Sequence, residues 1–158
     1  MPTFYYTTEQ LLPTDLDKSW DFFSSAENLA LITPPAMDFK ILTALIGQEI
    51  YEGMLINYTV KPLWGVKFHW ETEICKVNKP LFFTDRQSKG PYKLWEHTHT
   101  FIKKDNGILI KDEVKYQLPF GIIGNIIHSL FVRKKIEDIF TYRKKVLNQL
   151  FGTHGNND

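Results

Sequence analysis

Cysteine is nearly missing from this sequence: Cys75 is the only one in 158 residues. No intrachain disulfide can form, and a reducing, cytoplasmic setting is expected. Cys75 has no histidine at a local motif spacing, so it reads as a part-buried thiol and not a nucleophile. Long apolar runs are also missing. No stretch reaches the roughly 18 apolar residues of a membrane span, although peripheral contact stays open. The opening MPTFYYTTEQLLP lacks the charged and apolar segments of a secretory leader, so none is expected. Nor is there an excess of one charge: 19 basic side chains stand against 18 acidic ones, a net of +1. Nucleic-acid binders usually carry a basic surplus, so nucleic acid is not an expected partner. Two RKK clusters, at 133–135 and 143–145, lie in a predicted helix beside Glu137 and Asp138 and read as a solvated face. Nucleophile motifs, glycine-rich phosphate loops and glycosidase-like paired acids are absent, and no cofactor is expected.

Aromatic residues, by contrast, are plentiful at 15%. That suits a sheet-based core or a pocket lined with rings. The hydrophobic pattern sorts the chain. Residues 3–12 alternate as a strand. Thr14, with Asp17 three residues on, looks like a capping-box variant opening a short helix with the stripe Leu16, Trp20, Phe23. SAENLALIT gives a second short helix, stopped by TPP. From about residue 38 the period becomes two. In GVKFHWETEICKV, Val66, Phe68, Trp70, Thr72 and Ile74 share one face, and charged residues share the other. Further strands follow to about residue 118, six after the helices. After Pro119 the period turns helical again to about residue 151. The predicted fold class is α+β: a curved antiparallel sheet of about seven strands wrapped on a long C-terminal helix. Residues 1–152 are expected to form one domain, with 153–158 a flexible tail.

One strand has unusual contents. In GPYKLWEHTHTF, residues 90–101, the alternate positions Trp95, His97, His99 and Phe101 share a face. Read as a type I′ turn, Asn106-Gly107 sets His99 opposite Val114, His97 opposite Tyr116, and Phe101 opposite Asp112. The apolar set on the partner strand then makes this the covered face. Burying two histidines, an aspartate and a tyrosine without partners would cost a few kcal/mol each. His99 with Asp112, and His97 with Tyr116, are the expected pairs. Asp85 and Gln87 extend the network if the turn at Gly90-Pro91 lets them face inward; otherwise Arg86 takes their place. Three readings stay open: a buried brace between sheet and helix, a ligand-pocket wall, or a catalytic His–Asp pair. His97-x-His99 with Asp112 could also chelate a metal, but an H-x-H pair alone does not assign one.

The element order resembles the helix-grip fold of the START, pollen-allergen and polyketide-cyclase superfamily, called SRPBCC. The matching pieces are NLALITPP, FFTDRQSKGPYKLWEHTHTF, DEVKYQLPFG and FTYR. The string D-x-Q-x-x-G-P-x-x-x-W-x-H-x-H-x-F is similar to that of an uncharacterised bacterial subgroup. The resemblance implies a cavity between the sheet and the C-terminal helix for an apolar small molecule. It implies no shared catalytic set.

The leading expectation is therefore binding of a small hydrophobic or amphipathic molecule. Phe68, Trp70, Trp95, Phe101 and Val114 would supply apolar contact; Asp85, Gln87, His97, His99, Asp112 and Tyr116 would hold its polar end. The first alternative is a cyclase- or dehydratase-like enzyme with His99, Asp112 and Tyr116 as candidate catalytic residues. The second is a filled-core interaction module using PPAM or LPFGIIGNII as its contact. No protein partner is named by the sequence.

Overall fold

The computed structural model of the chain describes residues 2–44, 47–62, 65–119, 121, 126 and 131–153. The chain begins with strand β1 (Phe4–Leu12), then helices α1 (Leu16–Phe23) and α2 (Ala26–Leu31), and a 3-10 turn at Pro35–Met37. Strands β2 (Lys40–Ile41), β3 (Leu55–Val60), β4 (Phe68–Asn78), β5 (Phe82–Lys89), β6 (Leu94–Lys104) and β7 (Gly107–Gln117) follow, and helix α3 (Arg133–Phe151) comes last. The tail expected at 153–158 lies, apart from Thr153, outside the described residues, as does most of 120–130.

The first helix is capped by Asp15, not Thr14. The Asp15 carboxylate accepts the Lys18 N–H at 2.8 Å, while Thr14 Oγ1 is buried without a partner. A carboxylate one residue later caps the same turn and suits the positive end of the helix.

All seven strands form one antiparallel sheet in the order β1-β7-β6-β5-β4-β3-β2. Its strands alternate buried with less buried residues, as one covered face requires. Two bulges bend it. Ser88 is an extra residue between the Glu71–Lys89 and Thr72–Gln87 pairs, and Cys75 is one between Ile74–Asp85 and Lys76–Thr84. An unpaired residue kinks its strand and adds twist, which curls the sheet towards the helix side.

The β6–β7 register differs from the expected one. Lys104 pairs with Gly107, leaving Asp105 and Asn106 as the turn, so His99 faces Asp112, His97 faces Val114, Trp95 faces Tyr116 and Phe101 faces Ile110. Asp105 and Asn106 keep negative φ, so the turn is not type I′; the positive φ of 151° falls on Gly107. The shift moves each partner by two residues. Side chains alternate with period two, so the covered face is unchanged.

Helix α3 lies against that face. Ile136, Phe140, Arg143 and Leu147 are its buried residues, spaced four, three and four apart on one stripe. Gln10 on β1 ties it in place, its side-chain amide donating to the Lys144 carbonyl at 3.0 Å and to Asn148 Oδ1 at 2.8 Å. The opposite side of the helix carries the ion pairs Arg133–Glu137 and Lys134–Asp138. Below one half of α3, Leu12, Trp20, Ile74, Phe83, Phe101, Ile108 and Leu147 pack as a core. Below the other half, Val114, Tyr116, Val132, Ile136 and Phe140 form a second cluster.

Candidate functional site

Four acid–base side chains meet between those clusters. His97 and His99 stand two apart on β6 and so point to the same side. Asp85 on β5 lies directly opposite His97, and Asp112 on β7 lies directly opposite His99. The shortest bonds, however, run diagonally. His97 Nε2 donates to Asp112 Oδ1 at 2.8 Å, and His99 Nε2 donates to Asp85 Oδ2 at 3.0 Å. Ionised carboxylates only accept, so both Nε2 atoms carry protons. The directly opposite contacts are weaker in kind. His99 Nδ1 lies 3.1 Å from Asp112 Oδ1 yet has no hydrogen-bond geometry, and His97 Nδ1 is 4.0 Å from Asp85 Oδ2. Two imidazoles, with centroids 3.8 Å apart, are thus held between two carboxylates.

Rings seal this group. Phe83 stacks on His99 with centroids 4.3 Å apart, and Phe140 meets His97 edge-on at 5.6 Å. Only about 6% of His97, 7% of His99 and 5% of Asp112 is exposed. Burial presses the His99 pKa down, but the nearby carboxylates of Asp112 and Asp85 outweigh it and the net shift is upward. Burial and the neighbouring His99 hold His97 below the usual histidine value. Burial alone would raise the Asp112 pKa, but the hydrogen bond from His97 and the close imidazole of His99 hold it well below the usual carboxylate range. The pair therefore holds its first proton on His99 and resists a second on His97.

The group closes one end of a cavity of about 170 Å³ between the sheet, α1–α2 and α3. Roughly 150 Å³ is enough to admit a benzene ring. Beyond the polar end, the wall is aromatic. Tyr58 and Trp70 stack at 5.9 Å, Trp95 meets Trp70 edge-on at 5.6 Å, and Tyr92 sits 4.7 Å from Trp95. Thr72 Oγ1 bonds both the Trp70 indole N–H, at 3.1 Å, and the Tyr58 hydroxyl, at 3.2 Å. Burial pushes the Tyr58 and Tyr92 phenols upward, so both remain protonated. Phe22, Phe23 and Leu29 from the short helices, with Met37 and Val60, complete an apolar side.

Of the residues expected to hold a ligand, Trp70, Asp85, Trp95, His97 and His99 line this cavity; Phe68, Gln87, Phe101, Asp112, Val114 and Tyr116 do not. Phe101 packs into the core on Trp20 and Phe23. Val114 and Tyr116 lie in the cluster under the other half of α3. Phe68 sits half-buried opposite Val60 at the end of β3. Asp112 stands behind the histidines. Gln87 braces a turn, donating to the Tyr92 carbonyl at 2.7 Å and accepting the Tyr92 N–H at 3.2 Å. The expected His97–Tyr116 pair is replaced by His97–Asp112, because the register puts Tyr116 opposite Trp95. Arg86 points outward to Glu73.

Tyr92 and Arg143 are among the cavity residues that escaped the sequence reading. Tyr92 lies in a loop, where periodicity says nothing. Arg143 was assigned to the solvated RKK face but is 6% exposed. Its signal was present: it sits three residues after Phe140 and four before Leu147, on the apolar stripe. A metal is best accommodated by Asp85, His97 and His99, whose donor atoms lie within 4.8 Å of one another. Asp112, the expected third ligand, instead binds the outer edge of the imidazole pair.

No family model matches the chain, and no curated protein does. Solved structures do. Protein CV1439 from Chromobacterium violaceum superposes with a TM-score of 0.71 at 10% identity, over 95% of this chain and 98% of its own. Major latex-like protein 151 from Panax ginseng gives 0.67 at 12% identity, over 94% and 97%. Ara h 8.0201 gives 0.63 at 15% identity, over 94% and 99%. This is the helix-grip fold. At such identities the likeness is one of architecture. Among the described residues no helix is long and apolar enough to cross a membrane.

Proposed function

We propose that the chain binds a small hydrophobic or amphipathic molecule in the cavity between the sheet and α3. The observation that carries this reading is the division of the wall: aromatic and aliphatic over most of its area, with Asp85, His97, His99 and Arg143 together at one end. Apolar walls supply affinity and a few convergent polar groups supply orientation. The superfamily resemblance points the same way, and the single half-buried Cys75 suits a cytoplasmic setting. The test is native mass spectrometry of freshly purified protein beside the same sample denatured, followed by titration of apolar probes against tryptophan fluorescence. A small adduct lost on denaturation, or saturable quenching by an apolar probe, is the expected result. Clean mass and no quenching by any probe would leave the filled-core interaction reading in its place.

One observation favours an enzyme as a second reading. His97 Nδ1 makes no hydrogen bond among the described residues, and the neighbouring His99 binds a proton more readily than an ordinary histidine. A neutral base beside an imidazolium acid is a pair that can take a proton from one substrate atom and give one to another, as cyclisation or dehydration requires. Tyr116, the expected oxyanion donor, is not among the residues that line the cavity. Loss of turnover in His97→Ala or His99→Ala, with probe binding retained, would establish this reading over simple carriage.

A further inference from the structure

Arg143 is a buried cation with most of its hydrogen-bonding capacity unused. A guanidinium carries five N–H donors. Here Nη1 reaches Asp112 Oδ1 at 3.5 Å, the long limit of a hydrogen bond, and Nε is buried with no partner. The residue is 6% exposed, lines the cavity, and holds its charge 4.8 Å above the Phe140 ring. Burying a charge with so few partners is costly. Asp112 does not account for it. An arginine dedicated to a carboxylate meets it side-on, with two bonds of about 2.7–2.9 Å. Asp112 is already served by His97 at 2.8 Å and by His99 at 3.1 Å.

We propose that the ligand of this cavity is a carboxylic acid with an apolar body, its carboxylate paired with Arg143. This inference rests on the binding reading above and adds the chemical class. A planar monoanion matches the planar fork of the guanidinium. A phosphate dianion suits the place poorly, because Asp85 and Asp112 already stand at that end of the cavity. Each of those two carboxylates already accepts a hydrogen bond from an imidazole, Asp85 from His99 and Asp112 from His97. The apolar body then lies along Tyr58, Trp70 and Trp95, in a space suited to one or two rings.

The test compares 2-naphthoate with 2-naphthalenemethanol, which share a body and differ in charge. Binding to the intact protein is followed by calorimetry at pH 7.5 in the presence of EDTA. The expected result is at least a tenfold preference for the acid. Arg143→Met should erase that preference. Arg143→Lys, a point charge without the fork, should keep only part of it. The comparison in the unaltered protein stands even if the variants fold poorly. Equal binding of acid and alcohol would overturn the role of Arg143 and leave the cavity reading intact. Binding of neither would overturn both. A preference for the acid that appears only when Zn²⁺ replaces EDTA would overturn Arg143 in favour of a metal at Asp85, His97 and His99.

Discussion

His97 and Asp112 are joined across a diagonal of the sheet: Nε2 lies 2.8 Å from the carboxylate of the residue that pairs with His99, not with His97. The bond from His99 to Asp85 crosses the other way. Each histidine therefore links neighbouring strands across a diagonal, and the Asp112 carboxylate lies within 3.5 Å of His97, His99 and Arg143. Removing its charge leaves both imidazoles and Arg143 without it in a buried site. Asp112→Ala is expected to cost about 3–5 kcal/mol, as breaking a buried ion pair does. A melting temperature lowered by roughly 10 °C in thermal denaturation would show it.

The two histidines should titrate on opposite sides of the ordinary value. Imidazole NMR over a pH series is expected to place one protonation of the pair above about 6.5, on His99, and the second below it, on His97. Stability follows with definite signs. The His99 contribution is complete below about 6.5 and is lost as pH rises through its folded value. The His97 contribution, which favours the neutral ring, is present above about 6.5 and lost as pH falls. The Asp112 contribution is present above about 4 and disappears in acid as pH falls through its depressed value. His99→Gln should flatten the alkaline limb of the stability curve, and an unchanged limb would contradict the assignment.

The surface turn at Gly90 should affect the interior. A Cβ at Gly90 would stand 2.4 Å from Gln87 Oε1, the atom that accepts the Tyr92 N–H. Gly90→Ala is expected to displace Gln87 and cost about 1–3 kcal/mol from the two bonds to Tyr92. It should also weaken probe binding, because the Tyr92 ring packs on Trp70 and Trp95. Adding Gln87→Ala to that variant should cost little more, a non-additivity that a double-mutant cycle measures.

Filling the cavity from its helical side should stop binding without unfolding the chain. Ala26, half-exposed on α2, lines the cavity. Ala26→Trp places an indole there and is expected to lower probe affinity at least tenfold, a change of about 1.4 kcal/mol or more. The melting temperature should stay close to that of the unaltered chain.

The covered face was readable from alternation along β6 and β7, and it survived a wrong turn residue because the displacement was even. Where the displacement was odd, nothing in the sequence announced it. Ser88 and Cys75 each add a single residue to one strand, and the facing of Asp85 depends on such insertions and on the 90–93 turn. The histidines and Asp112 were legible as a group because buried polar residues need partners. Which nitrogen meets which carboxylate was not, since a diagonal and a direct contact differ only by side-chain torsions. Arg143 shows the opposite failure: its helical spacing said buried, and its two lysine neighbours said solvated. The spacing was right, because a residue's place around the helix, not its sequence neighbours, decides what it touches.

The ring wall has one more consequence. Trp70 and Trp95 stand edge to face at the cavity, while Trp20 lies one layer back, against Phe83 and Phe101. An arriving aromatic guest changes the surroundings of the first two indoles far more than those of the third. The molecule thus carries its own optical gauge of occupancy. The sequence holds four tryptophans, so replacing the other two, Trp20 and Trp64, with phenylalanine would leave emission from the two wall indoles alone, and compound collections could then be screened by light, without a label.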